Sequence, residues 1–119
     1  MCIRDRLEAF CVAACSRNGL TVVGRLFHAF RDSAGNPAGV TGTVVLAESH
    51  LAVHTWPEIA GVTLDVYVCN FSADNSSRAH ALFTDIIAAF SPGRLETKEI
   101  ARGCLQALPD PSAPSPAGV

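Results

Sequence analysis

The sequence predicts an α+β domain, a two-layer sandwich whose mainly antiparallel sheet carries helices on one face. Three observations predict it. Two stretches, residues 7–16 and 75–90, repeat apolar side chains at helical spacing. Between them lie short β-branched or alternating runs, which read as strands. Those runs are joined by short turns and segregated from the helices, so neighbouring strands pair antiparallel and the helices share one face.

Taken in order, residues 1–6 read poorly as the opening of a domain. Over residues 7–16, Leu7, Phe10, Cys11, Ala14 and Cys15 form a helical stripe that stops at Asn18-Gly19. Residues 20–30 read as a strand containing Val22, Val23, Phe27 and Phe30, and a loop over 32–38 follows, with Gly35-Asn36-Pro37 as its turn. Residues 40–47 make a second strand and 50–55 a third, which Trp56-Pro57-Glu58 breaks. Residues 62–69 alternate, with Val62, Leu64, Val66 and Val68 on one face and Thr63, Asp65, Tyr67 and Cys69 on the other. The first set packs under the helices, so the second lines the opposite face. The helix over 75–90 carries Ala79, Leu82, Phe83, Ile86 and Phe90 on one stripe and ends before Ser91-Pro92-Gly93. Residues 94–101 are expected to form a last strand. The domain then runs over 1–104, and residues 105–119, with Pro109, Pro111, Pro114 and Pro116, form a disordered tail.

Composition narrows the function classes. A chain of 119 residues, 49% apolar and 17% charged, suits one compact domain with its own core. A net charge of -2 without a basic cluster argues against nucleic acid as partner. The apolar runs are short and interrupted, so no membrane span is expected, and no signal-peptide pattern opens the chain. Five cysteines without framework spacing read as reduced thiols in a cytoplasm. Cys11 and Cys15 need no role beyond that of small buried hydrophobes. The single lysine, Lys98, has no glycine-rich phosphate loop near it, which argues against a pyridoxal-phosphate enzyme.

The chemistry-bearing stretch is Glu48-Ser49-His50, followed by His54-Thr55-Trp56-Pro57-Glu58 and then Cys69. Losing carbon dioxide from an amino acid leaves negative charge on the α-carbon, and a carbonyl that captures the substrate amine can delocalise it. No ordinary side chain supplies such a ketone. A serine can, if its hydroxyl attacks the preceding carbonyl, here that of Glu48, and the resulting ester eliminates. Alone, Ser49 would be a turn serine, His54 a sheet histidine and Cys69 a buried strand residue. Their occurrence together favours function, and a polar face shared by Cys69, Asp65 and Tyr67 is a fitting place for a tuned thiol. A zinc pair from His50 and His54 is rejected. Four strand residues span about 13 Å, whereas each ligand sits about 2 Å from its metal. His28 and His80 read as surface histidines, Phe30 as either core or stacking platform, and Tyr67 stays open.

The run Glu48–Glu58 closely resembles the processing site of the bacterial and archaeal S-adenosylmethionine decarboxylase proenzymes, and the resemblance covers residues 20–103. It implies that Ser49 becomes a pyruvoyl cofactor after cleavage between Glu48 and Ser49. It also implies that His54 assists processing as proton acceptor, and that Cys69 protonates the product carbanion. Softer matches place Thr41 as a processing helper, Phe30 as the ring that stacks adenine, and Glu58 as the acceptor of the ribose hydroxyls. The implied activity is decarboxylation of S-adenosylmethionine for spermidine and other polyamine synthesis, by a homodimer of processed units. Two rivals stay open: a pyruvoyl decarboxylase of ornithine or arginine, and an unprocessed, non-catalytic copy. Two departures stand out. The family's opening strand, with its glycine-histidine and aspartate-containing segment, is absent or replaced by residues 1–6. Asn70 stands where many members carry glycine.

Overall fold

The structure, a computed structural model, describes residues 2–69 and 75–100. Its sheet is a four-stranded meander: β1 (Val22–Arg31), β2 (Pro37–Leu46), β3 (His50–Trp56) and β4 (Gly61–Tyr67), in that spatial order and antiparallel throughout. Helices α1 (Ile3–Arg17) and α2 (Ser76–Phe90) pack together over one face, so the two-layer α+β expectation holds. Helix α1 starts four residues before the apolar periodicity does. Asp5 in its first turn and Arg17 in its last both suit the helix dipole, and they extend it beyond the stripe. It stops where expected. Gly19 takes a φ of 79°, and Leu20 N–H donates to the Cys15 carbonyl at 3.0 Å.

The core lies between the layers. Cys11, Ala14 and Cys15 of α1 and Leu82 and Ile86 of α2 meet Phe27, Val44, Leu51 and Val53 from the sheet. Each fully buried Leu or Ile here contributes about 1.5–3 kcal/mol. Burial pushes the Cys11 thiol up to about 12 and Cys15 to about 11, so both stay protonated and inert at neutral pH. Phe27 lies across Gly42, its partner on β2; a Cβ there would overlap the ring. At the C-terminal end of α1, Asn18 Nδ2 donates to Asp85 Oδ2 of α2 at 2.9 Å and Arg17 Nη2 to the same oxygen at 3.3 Å. Those two bonds, Asn18 first, hold the Asp85 carboxyl below the usual carboxylate range.

Register assigns the faces. Val44 pairs with Leu51 and Leu51 with Val66, and all three turn toward the helices. The intervening rows turn the other way: Thr41–His54–Thr63, Thr43–Ala52–Asp65 and Val45–His50–Tyr67. The side assigned to Leu64, Val66, Asp65 and Tyr67 is therefore as expected. Val62, near the strand's start, escapes full cover and is 39% exposed. On the helix-free face, Leu26 and Val45 stand exposed beside the histidines.

One element is corrected. Residues 94–100 form no strand, and Ala101 lies outside the described residues. Leu95 and Ile100 are both mainly exposed, and the segment is tied instead by the Arg94–Glu96 ion pair and by His80–Glu99 at 3.0 Å. A strand here would put Leu95 and Ile100, five residues apart, on opposite sides, so neither face has an apolar row to bury against the sheet or the helices. Asn70 and the expected tail over 105–119 also lie outside the described residues.

Candidate active site

Strands β2 and β3 are joined by a tight turn, and the Glu48–Ser49 peptide bond is in it. Leu46 N–H donates to the Ser49 carbonyl at 2.9 Å, and Ala47 N–H donates to the Thr21 carbonyl at 3.0 Å. The bond is thus held from the ladder on one side and from the entry to β1 on the other. Glu48 is exposed and Ser49 half-buried. The first β3 residue, His50, places Nε2 3.2 Å from Asp65 Oδ2, and its ring lies against Tyr67 with centroids 5.4 Å apart. Cys69 follows two residues after Tyr67, the partner of His50, so it lies at the same end of the sheet as Ser49. Its thiol is free and half-buried, and Asn75 Nδ2 donates to its carbonyl at 3.0 Å.

The other predicted residues gather toward the opposite end. Thr41 and His54 are cross-strand partners, with Thr41 Oγ1 hydrogen-bonded to His54 Nδ1 at 2.5 Å. They open onto a cleft of about 380 Å³ lined by Phe30, Gly39, Thr41, His54, Trp56 and Glu58. Backbone closeness shapes one wall: a Cβ on Gly39 would run into the Thr55 carbonyl oxygen, and Val40 N–H donates to Thr55 Oγ1 at 2.8 Å. Phe30 is 48% exposed, which removes it from the core and leaves its ring available to a ligand. His28 meets it edge-on, centroids 4.7 Å apart.

Trp56 is the site residue that sequence reasoning passed over, because beside Pro57 it reads as a strand terminator. A signal was present. His54 and Trp56 are two residues apart at the end of β3, the spacing that puts side chains on one side of a strand, and Glu58 follows in a single 3-10 turn, Pro57–Ile59.

A single chain does not bring all the predicted residues together. Ser49 and His54 are five residues apart on an extended strand, about 16 Å. Glu48, Ser49 and Cys69 form one group at the hairpin end. Thr41, His54, Phe30 and Glu58 form the other, around the cleft. Among the described residues, no three His, Cys, Asp or Glu side chains come together as a metal site.

Fold and site together define a class: a compact α+β sandwich domain with an acidic residue and a serine at a hairpin tip and an aromatic cleft along the same sheet. The chain belongs to the S-adenosylmethionine decarboxylase family, whose sequence profile it matches over residues 3–103. It is 37% identical over 87 residues to the S-adenosylmethionine decarboxylase proenzyme of a Hydrogenobaculum species, covering 73% of this chain and 58% of that one. It is 33% identical to the proenzyme of Syntrophomonas wolfei, covering 85% of this chain and 73% of the relative. With the Aquifex aeolicus proenzyme the identity is 35%, over 87% of this chain and 67% of the relative.

Proposed function

We propose that this chain is a self-processing, pyruvoyl-dependent carboxy-lyase acting on S-adenosylmethionine, whose decarboxylated product serves as aminopropyl donor in spermidine synthesis. The carrying observation is the Glu48–Ser49 bond at the tip of a hairpin inside the segment that matches the family. A turn can present a carbonyl to the hydroxyl of the next residue in a way that a paired strand does not. Ser49 Oγ attacks the Glu48 carbonyl carbon, and the amide becomes an ester with a free amine on residue 49. Loss of the residue 49 α-proton expels the Glu48 carboxylate, and hydrolysis of the dehydroalanine releases ammonia and leaves the ketone.

The residues present fit the group. After the cut, position 49 remains at the start of β3, with the Cys69 thiol at the same sheet end. The pyruvoyl group there supplies the electron sink that carboxylate departure requires. Cys69 donates a proton to the substrate α-carbon once carbon dioxide has left. Phe30 and Trp56 offer aromatic faces to the adenine and the sulfonium, and Glu58 accepts hydrogen bonds from the ribose hydroxyls.

The separation of the two groups supports a homodimer. The Thr41–His54 pair and its cleft lie on the helix-free side of the sheet, where Leu26 and Val45 are uncovered, and Cys69 follows Tyr67 by two residues at the other end. A second copy laid end-for-end on that face brings its Thr41–His54 pair over the first copy's Ser49, and two-fold symmetry returns the favour. His54 then serves processing from across the interface. The working compartment is the cytoplasm, where Cys69 stays reduced; no helix among the described residues is long and apolar enough to cross a membrane.

The test compares release of labelled carbon dioxide from carboxyl-labelled S-adenosylmethionine, ornithine and arginine. Turnover of the first with little of the other two is expected; preference for either amino acid overturns the substrate assignment. Sedimentation of the same preparation gives twice the monomer mass, and an active monomer contradicts the shared site.

A further inference from the structure

Cleavage at Glu48–Ser49 has a mechanical consequence. Before it, β3 is tied covalently to β2. Afterwards β3 begins at residue 49, which has lost its backbone N–H along with its amine. A free strand end frays unless something holds it, and the free energy of opening a terminal residue is close to zero. The residue that matters most for the reaction would then sit at the least ordered position of the sheet.

His50 is the next residue, and its side chain makes two contacts with a strand that is never cut. Its Nε2 lies 3.2 Å from Asp65 Oδ2, and its ring packs on Tyr67 at a centroid distance of 5.4 Å and a tilt of 37°. Tyr67 is its direct partner in the ladder, and Asp65 is the residue two positions before on the same face. The contacts therefore reach β4 straight across and diagonally, so they oppose both lifting and sliding of the strand end. On the other side lie backbone contacts, from the Val45–His50 pair and from Leu46 N–H to the residue 49 carbonyl.

We propose that His50 and Asp65 are positioning residues: a cross-strand latch that keeps the newly made start of β3 seated after self-cleavage. This rests on the processing reading above, since an uncut hairpin has no loose end to hold. Nothing in the latch requires a charged imidazole, because a neutral ring with its proton on Nε2 already donates to the carboxylate.

Hydrogen exchange over residues 50–53, read beside intact mass and turnover, tests this on the whole protein. In His50→Ala and in Asp65→Ala, cleavage goes to completion, those amides of the cut protein exchange faster than in the parent, and kcat falls about fivefold, the scale of one hydrogen bond. His50→Gln, whose amide can reach the same carboxylate oxygen, restores most of the protection and of kcat. In the uncut Ser49→Ala protein, adding His50→Ala changes exchange little, because the turn still holds the strand. Unchanged exchange and turnover in both alanine variants overturn the latch alone. So does failure of His50→Ala to cleave, which would assign the imidazole to processing. A parent protein that never cleaves overturns the latch and the proposed function together.

Discussion

Ser49→Ala is expected to remain one uncut chain and to release no carbon dioxide. The substitution removes one oxygen atom and leaves the backbone of the hairpin unchanged. Leu46 N–H still donates to the residue 49 carbonyl, and the Val45–His50 pair still starts the ladder. Any effect is therefore chemical, not a failure to fold. Without the hydroxyl nothing attacks the Glu48 carbonyl, and without the cut no ketone forms to accept electrons. Turnover falls on the order of 10⁴-fold or more, as for removal of a covalent nucleophile. Intact mass and carbon dioxide release are read on the same sample; cleavage that persists in this variant refutes Ser49 as the attacking group.

Cys69→Ala is expected to separate the two proposed reactions, self-cleavage and decarboxylation. Self-cleavage proceeds, because the thiol takes no part in attack on the Glu48 carbonyl, and mass analysis shows both fragments. Decarboxylation drops by roughly 10²–10⁴-fold, the range for loss of a positioned proton donor. The anchor at this residue is its carbonyl, which accepts from Asn75 Nδ2, so alanine keeps the local backbone in place. Cys11 and Cys15 cannot substitute, since they are buried in α1 against the sheet. An uncut Cys69→Ala chain would move the thiol from turnover to processing.

Much of this architecture is legible in the sequence because the local signals agree with the tertiary demands. The alternation at Leu64-Asp65-Val66-Tyr67 is the two-sidedness of β4, and Asn18-Gly19 is a stop that the backbone takes as such. Residues 94–100 lack that pattern: Leu95 and Ile100 are five apart, so a strand there would have no apolar face to bury. Phe30 illustrates a second gap. An aromatic at a strand end is equally consistent with core and surface until one residue of the strand is anchored: with Phe27 buried under the helices, alternation along β1 turns Phe30 to the other face.

The largest gap concerns the site itself. Ser49, His54 and Cys69 are recognisable by residue type and spacing, and closeness in sequence suggests closeness in space. On an extended strand it means the reverse: five residues carry His54 far from Ser49, while Cys69, twenty residues away, returns to the same end because β4 runs antiparallel to β3. The division into two groups follows from register and from nothing shorter in range.

The central claim is that breaking the chain after Glu48 creates a reactive ketone at position 49. Phenylhydrazine treatment followed by intact-mass measurement tests it directly. The account predicts two fragments, with a single hydrazone adduct confined to the one that begins at position 49. A single uncut chain, or a fragment at that position that takes up no reagent, would contradict it.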